Sequence, residues 1–275
     1  STDNSAETLF VGTLPGTVTA TLVASAGPET YVLGATTVDD INGQVVVGAL
    51  GVAGGIDQLL VNDFGSAFST SNLTVTSTTI NGITFAPAPD ITYNTGEPIE
   101  LVVINRGVPA PRFTNFNVLS TAATTNYRFI GGGANDGFNI SSDAPTNTGN
   151  LNAILGPIEI QSGGGTDTLN VIDQTGPART YALNPAGAFT RLTATGIARI
   201  DFLNPQLENF FLRGSTGGNN TYQVNVTSAT VSNVIEDGLA ASSGNANFII
   251  QANQLQAGAT NRFFGHAGFD RFRVV

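Results

Sequence analysis

The chain contains no cysteine, no methionine, no tryptophan and no lysine; all ten of its basic residues are arginine. Without cysteine there is neither a disulfide framework nor a thiolate metal site. Charged residues make up 11% of the 275 positions, less than half the ~25% usual for soluble domains. That scarcity argues against helices, whose solvated faces are normally lined with Glu and Lys. No stretch approaches the ~18 apolar residues of a membrane-spanning helix, so no membrane insertion is expected. Twenty acidic residues against ten arginines leave a net charge of −10. That charge argues against nucleic acid and anionic membranes as partners. No signal-peptide pattern is present, and the missing methionine leads us to expect a chain processed or excised from a longer one.

What is present reads as strand. Hydrophobic residues reach 41%, enough for a sizeable core. Segments 44–47 (QVVV), 71–80 (SNLTVTSTTI), 101–104 (LVVI), 221–226 (TYQVNV) and 229–234 (ATVSNV) are rich in β-branched residues. Gly, Asn, Asp, Ser and Pro punctuate them. No window sustains a helical apolar face; the best helical candidate is 251–257 (QANQLQA). The fold class expected is all-β.

Internal repeats carry the strongest signal. In SGGGTDTLNV (162–171), a glycine run leads to Asp167, after which Leu169 and Val171 alternate as in a strand. The same frame recurs in GGGANDGFNI (131–140) and GHAGFDRFRV (265–274). Anchored on the Asp position it has nine copies, at Glu7, Glu29, Asp57, Thr114, Asp136, Asp167, Asn220, Ala246 and Asp270. Two residues on stand Leu9, Tyr31, Leu59, Phe116, Phe138, Leu169, Tyr222, Phe248 and Phe272, all Leu or aromatic. Four residues on, every residue from Val11 to Val274 is aliphatic. Two residues before the anchor, six of nine are Gly.

The anchors recur in a larger period of about 107 residues, two copies complete and one partial. The units expected are 1–106, 107–212 and 213–275, joined in one continuous structure. Within a unit the anchors are 22 to 31 residues apart, followed by a span of 53 or 57. The long spans resemble each other: 92–104 (ITYNTGEPIELVV) aligns with 200–212 (IDFLNPQLENFFL). One Gly-turn-strand motif per fixed period is the signature of a stacked repeat. The architecture expected is a right-handed parallel β-helix or solenoid of about 11 coils. Each short step makes one coil and each long step two. The nine Leu/aromatic positions are then expected to form one interior ladder. A second strand precedes each turn, marked seven residues before the anchor by Leu22, Leu50, Phe129, Ile160, Leu239 and Phe263. The alternative is tandem β-sandwich domains, one per unit; the 22–31-residue sub-repeat has no role in a sandwich.

The motif resembles the GGxGxDxUx nonapeptide of calcium-binding RTX proteins. It is more closely similar to the degenerate GGAGNDTFNV repeats of large secreted bacterial surface proteins of planctomycete type. In those, an ITYxGxExLNL run follows, which 92–104 and 200–212 match with Glu100 and Glu208 at the acidic position. The resemblance implies an extracellular repeat architecture rather than an activity. It also implies calcium, held between Asp carboxylates of neighbouring coils, with Asp136, Asp167, Asp57 and Asp270 as the candidate metal ligands. This sequence departs from the RTX pattern. Its motifs are not in tandem, and Thr114, Asn220 and Ala246 replace the acid. Read from the residues alone, each anchor side chain caps its own turn through backbone N–H groups.

Chemistry-bearing clusters are few. Asp39–Asp40 and Glu236–Asp237 are adjacent carboxylates without a nearby basic partner, and are expected in solvated loops. His266, the sole histidine, sits inside a turn motif, and Arg262, Arg271 and Arg273 form the densest basic group. Alternation directs Arg271 and Arg273 outward while Phe272 and Val274 point in. Sequons at Asn72, Asn139, Asn219 and Asn225 follow from an Asn/Thr-rich composition. No catalytic residue and no cofactor is assigned. The function expected is a non-enzymatic extracellular rod, either a filament subunit or a segment of a giant cell-surface or adhesin protein. Such a rod pairs with itself head-to-tail or with further repeats of the same chain, because no capping element is legible at either end. The alternative is a β-helix module that binds or degrades polysaccharide.

Overall fold

The computed structural model describes residues 5–24, 27–49, 55–67, 70–83, 90–96, 98–107, 111–146, 148–239, 244–256, 258 and 260–275. The chain opens with β1 (Glu7–Val11), β2 (Thr19–Ala24), β3 (Glu29–Leu33), β4 (Gln44–Ala49) and β5 (Gln58–Asn62). Next come β6 (Thr70–Val75), β7 (Thr79–Asn81), β8 (Ile91–Thr92) and β9 (Leu101–Asn105). The second unit holds β10 (Phe113–Val118), β11 (Asn126–Ile130), β12 (Gly137–Ile140), β13 (Ile158–Gln161) and β14 (Thr168–Ile172). It continues with β15 (Thr180–Ala186), β16 (Phe189–Ala194), β17 (Ile200–Leu203) and β18 (Asn209–Arg213). The third holds β19 (Thr221–Val224), β20 (Ser232–Glu236), β21 (Asn247–Ile250), β22 (Asn261–Phe264) and β23 (Arg271–Val274). Among the described residues the only helical turns are two short 3₁₀ segments; one, Ala252–Gln254, lies inside the helical candidate 251–257.

The strands form two sheets. Sheet 1 runs β1-β3-β5-β9-β11-β13-β17-β16-β15-β19-β21-β23, and sheet 2 runs β2-β4-β8-β7-β6-β10-β12-β14-β18-β20-β22. Most neighbours are parallel and keep one register, so like stacks on like. Leu9 faces Tyr31, Tyr31 faces Leu59 and Leu59 faces Val102 in sheet 1. In sheet 2, Leu73, Phe116, Phe138, Leu169 and Phe210 stand in one row. Alternation turns these rows inward. Phe116 and Phe138 stack at 4.8 Å, Tyr222 and Phe248 at 4.7 Å, and Phe248 and Phe272 at 4.6 Å. Of the nine Leu/aromatic positions, seven are fully buried; Leu9 is half-buried and Phe272, on the edge strand β23, is 51% exposed.

Two expectations need correction. The nine positions do not form one line. The anchors of units 1 and 3 stand at or just before the starts of strands of sheet 1, and those of unit 2 at or just before the starts of strands of sheet 2. Each complete unit visits the sheets an odd number of times, so the next unit begins on the opposite sheet. The long spans are also not two coils. They hold three-stranded antiparallel meanders, β6-β7-β8 in sheet 2 and β15-β16-β17 in sheet 1. Turn chemistry makes the first reversal: Thr76 N–H donates to Thr79 O at 2.9 Å, and Thr76 Oγ1 takes the Thr79 N–H at 2.9 Å. The second reversal is the two-residue loop Gly187–Ala188, with Gly187 at φ 68°, where a side chain is disfavoured. The first meander advances sheet 2 by two strands relative to sheet 1, and the second restores the balance. Of the residues marking a preceding strand, Leu22, Phe129, Ile160 and Phe263 lie in β2, β11, β13 and β22. Leu239 follows β20 and is 40% exposed, and Leu50 lies outside the described residues.

Truncating a ladder residue removes contacts on both neighbouring strands. Phe138→Ala is expected to cost about 3–5 kcal/mol, and Phe272→Ala, half-exposed at an edge, clearly less. Urea unfolding midpoints of the two variants measure the difference; equal losses would contradict the ladder.

Candidate functional site

The anchor residues form a polar arrangement that repeats from strand to strand. An anchor stands where a turn hands over to a strand, so its N–H points along the stacking direction toward the next strand. At six anchors a side chain there accepts it, that of the next anchor or of Glu100 or Glu208. Glu29 N–H donates to Asp57 Oδ1 at 2.9 Å, and Asp57 N–H to Glu100 Oε2 at 2.7 Å. In the second unit Thr114 N–H donates to Asp136 Oδ1, Asp136 N–H to Asp167 Oδ1 and Asp167 N–H to Glu208 Oε2, at 2.7, 2.7 and 2.8 Å. In the third, Ala246 N–H donates to Asp270 Oδ1 at 2.9 Å. The expected capping of an anchor's own turn is half of this pattern. Asp136 Oδ2 takes the Gly132 N–H at 2.7 Å, and Glu29 Oε1 takes the Gly27 N–H at 3.1 Å. The other half crosses to the neighbouring strand, and its sequence signal was Glu100 and Glu208 in the aligned long spans.

Four of these acids lie out of water: Asp167 is fully buried, and Glu29, Asp57 and Asp136 nearly so, while Glu100, Glu208 and Asp270 are partly exposed. Burial pushes the Asp167 carboxyl up to about 7, against the pull of the Asp136 N–H and with the Asp136 and Glu208 charges adding to the rise. Burial likewise pushes Glu29 up to about 7, helped by the facing Asp57 carboxyl, and raises Asp136. Glu29 Oε2 and Asp167 Oδ2 are buried with no hydrogen-bond partner, an arrangement a neutral carboxyl tolerates better than a charged one.

The arrangement does not fit a calcium ion. Asp57 and Asp270 belong to the sheet 1 series and Asp136 and Asp167 to sheet 2, so the four do not converge. Each turns Oδ1 onto an N–H, whereas Ca²⁺ needs 6–8 free oxygens. Among the described residues no group of three or more His, Cys, Asp or Glu side chains gathers where it could hold a metal.

Other predicted clusters separate. Asp40 is exposed, while Asp39 accepts from Ser66 Oγ and Ala67 N, both at 2.9 Å. Asp237, expected in solvent, is instead fully buried, accepting from Asn220 Nδ2 at 2.6 Å and Tyr222 Oη at 3.0 Å. Glu236 pairs with Arg213 at 3.0 Å. Sequon residues Asn72, Asn139 and Asn225 join cross-strand amide ladders, with Asn115, with Asn117 and Asn170, and with Asn184. Sequence reasoning missed two buried ion pairs, Arg106 with Asp63 and Arg179 with Asp173 at 2.6 Å. Asp63 and Asp173 each stand six residues after an anchor, a repeat that could have flagged them. No family model, curated protein or solved structure matches the chain.

Two outcomes follow from the carboxyl ladder. Folded-state pKa values above the unfolded 3.8 and 4.5 mean the native state holds extra protons. That stabilisation is complete below about pH 4 and is lost as pH rises through about 7. The melting temperature is therefore expected to fall between pH 5 and pH 8. Asp167→Asn, which keeps the Oδ1 acceptor, flattens the dependence; melts by circular dichroism test this, and a rise toward pH 8 contradicts it. Excess chelator at pH 7 is expected to leave the melt unchanged, and a lowered midpoint would restore a metal role.

Proposed function

We propose that this chain is a section of a right-handed parallel β-solenoid serving as a non-enzymatic structural rod. The setting is extracellular, as a filament subunit or a segment of a large cell-surface protein of adhesin type. The observation that carries this reading is the unbroken inward row along each sheet, crossing the unit boundaries while the two meanders compensate. An interior made of one repeating rung can be lengthened without redesign. Twelve strands at ~4.8 Å make a rod on the order of 50 Å long.

Elongation is supported by the edges. On β23, Phe272 and Val274 are 51% and 65% exposed although they continue buried rows. The row accepts a further strand, from another copy of the chain or from further repeats of it. The absence of a catalytic role is supported by the surface carboxylates Glu159, Asp201 and Glu236, all held in arginine pairs.

Small-angle X-ray scattering of the chain tests the reading. A rod-like distance distribution with a long dimension on the order of 50 Å is expected. Separate compact lobes, or a globular profile, would overturn it.

A further inference from the structure

The outer face of sheet 1 carries a groove of about 460 Å³ at the starting ends of β9, β11, β13 and β17, within the ~300–1,000 Å³ of small-ligand sites. It crosses these strands and therefore runs along the stacking axis. Arg128, Glu159 and Asp201 stand directly opposite one another on successive strands. Arg128 lies 2.8 Å from Glu159 Oε1, and Arg199 lies 3.1 Å from Asp201 Oδ2. Asp201 also receives Arg191 through two bonds, of 2.7 and 2.9 Å. The exposed Asn126 is tied at its Nδ2 to Glu100 O at 3.2 Å. The polar groups are thus held in place before any ligand arrives, while Arg128 and Arg199 remain 40% and 47% exposed.

We propose that this groove binds an extended, uncharged polysaccharide strand. Three features select that class. Arg128, Arg191 and Arg199 face Glu100, Glu159 and Asp201, with Arg191 and Arg199 sharing Asp201, so the groove is close to neutral and a polyelectrolyte of either sign finds little surplus charge. A hydroxyl is both donor and acceptor, and a vicinal diol can bridge a guanidinium and its paired carboxylate, accepting from one and donating to the other. One charged side chain stands on each of the successive strands β11, β13, β17 and β16, at the ~4.8 Å strand spacing, close to the length of one pyranose residue, so successive sugars meet successive strands. Leu101 and Pro157 supply aliphatic floor, and the ring of Tyr127 is buried beneath. Because Glu159 and Asp201 are committed to arginines and Glu100 to the Asp57 N–H, the site holds a glycan without cleaving it. This goes beyond the rod reading and does not depend on it.

Titration of ¹⁵N-labelled protein with neutral hexasaccharides of glucose, mannose and N-acetylglucosamine, and with hexagalacturonate as the anionic control, tests the site. The expected result is saturable shifts at Asn126, Arg128, Glu159 and Arg199 with at least one neutral hexasaccharide. Arg128→Ala weakens it at least tenfold, while Asn170→Ala on the outer face of sheet 2 leaves it unchanged. If Arg128→Ala lowers the melting temperature, Asn126→Ala serves in its place. Shifts elsewhere, equal or tighter binding of hexagalacturonate, or no shift with any neutral sugar overturns the proposal.

Discussion

An amide at the start of one strand and a carboxylate at the start of the next together set the frame in which the rest of the molecule is built. A buried N–H at the exit of a turn must find an acceptor, and in a parallel stack the nearest available group is a side chain one rung further on. Asp57, Asp136, Asp167 and Asp270 fill that place, joined by Glu100 and Glu208 where the longer side chain reaches across from a meander exit. Once the anchors are level, the residues two and four positions on are level too. The aromatic and aliphatic rows follow from that alignment, since a slip of one residue would turn every inward side chain outward. The cost is a line of acids in a dry seam, and the raised carboxyls of Glu29, Asp136 and Asp167 are its electrostatic trace.

This frame was legible in the chain because it is local. The distance from anchor to core is two and four residues in every copy, and the small residue before the turn is rarely replaced. The acids at Glu100 and Glu208 were visible as an alignment of two distant segments, although their role as acceptors needed the third dimension. What was not legible is counting. Nothing in a period of about 107 residues tells whether the chain changes sheets an odd or even number of times. The β-branched run 71–80 reads as one strand, and the reversal after Val75 rests on a threonine pair rather than on glycine. The Arg106–Asp63 pair joins residues 43 positions apart. No spacing rule connects them.

The charges are partitioned along the chain. Residues 1–105 contain ten acids and no arginine, whereas 106–275 contain ten of each. In the first unit the buried acids lean on amides: Glu29 accepts the Gly27 N–H and Asp57 the Glu29 N–H. Asp63 is served by Arg106, the first basic residue of the chain. The second unit adds guanidinium groups to its amides, with Arg179 on Asp173 and Arg191 and Arg199 on Asp201. Loss of protons as pH rises falls on both units, on Glu29 in the first and on Asp136 and Asp167 in the second.

The same partition separates what must repeat from what is free to vary. Inward rows are constrained by packing and are mostly Leu, Val, Ile, Phe or Tyr across all three units, with Thr190 opposite Phe202 and Asn233 opposite Phe210 as buried polar exceptions. One outward row of sheet 1 reads Val32, Leu60, Val103, Arg128, Glu159, Asp201 and Arg191. It is aliphatic over the first unit and ionic over the second. Both halves are compatible with the backbone, because a strand's outer face places few demands on its residues beyond shape. A stacked fold of this kind holds its core by repetition and carries chemical individuality only on its outer rows. The place where an outer row departs from its neighbours is therefore where a surface with a partner is to be sought. In this chain the change from aliphatic to paired ionic side chains occurs between Val103 and Arg128, at the near end of the groove.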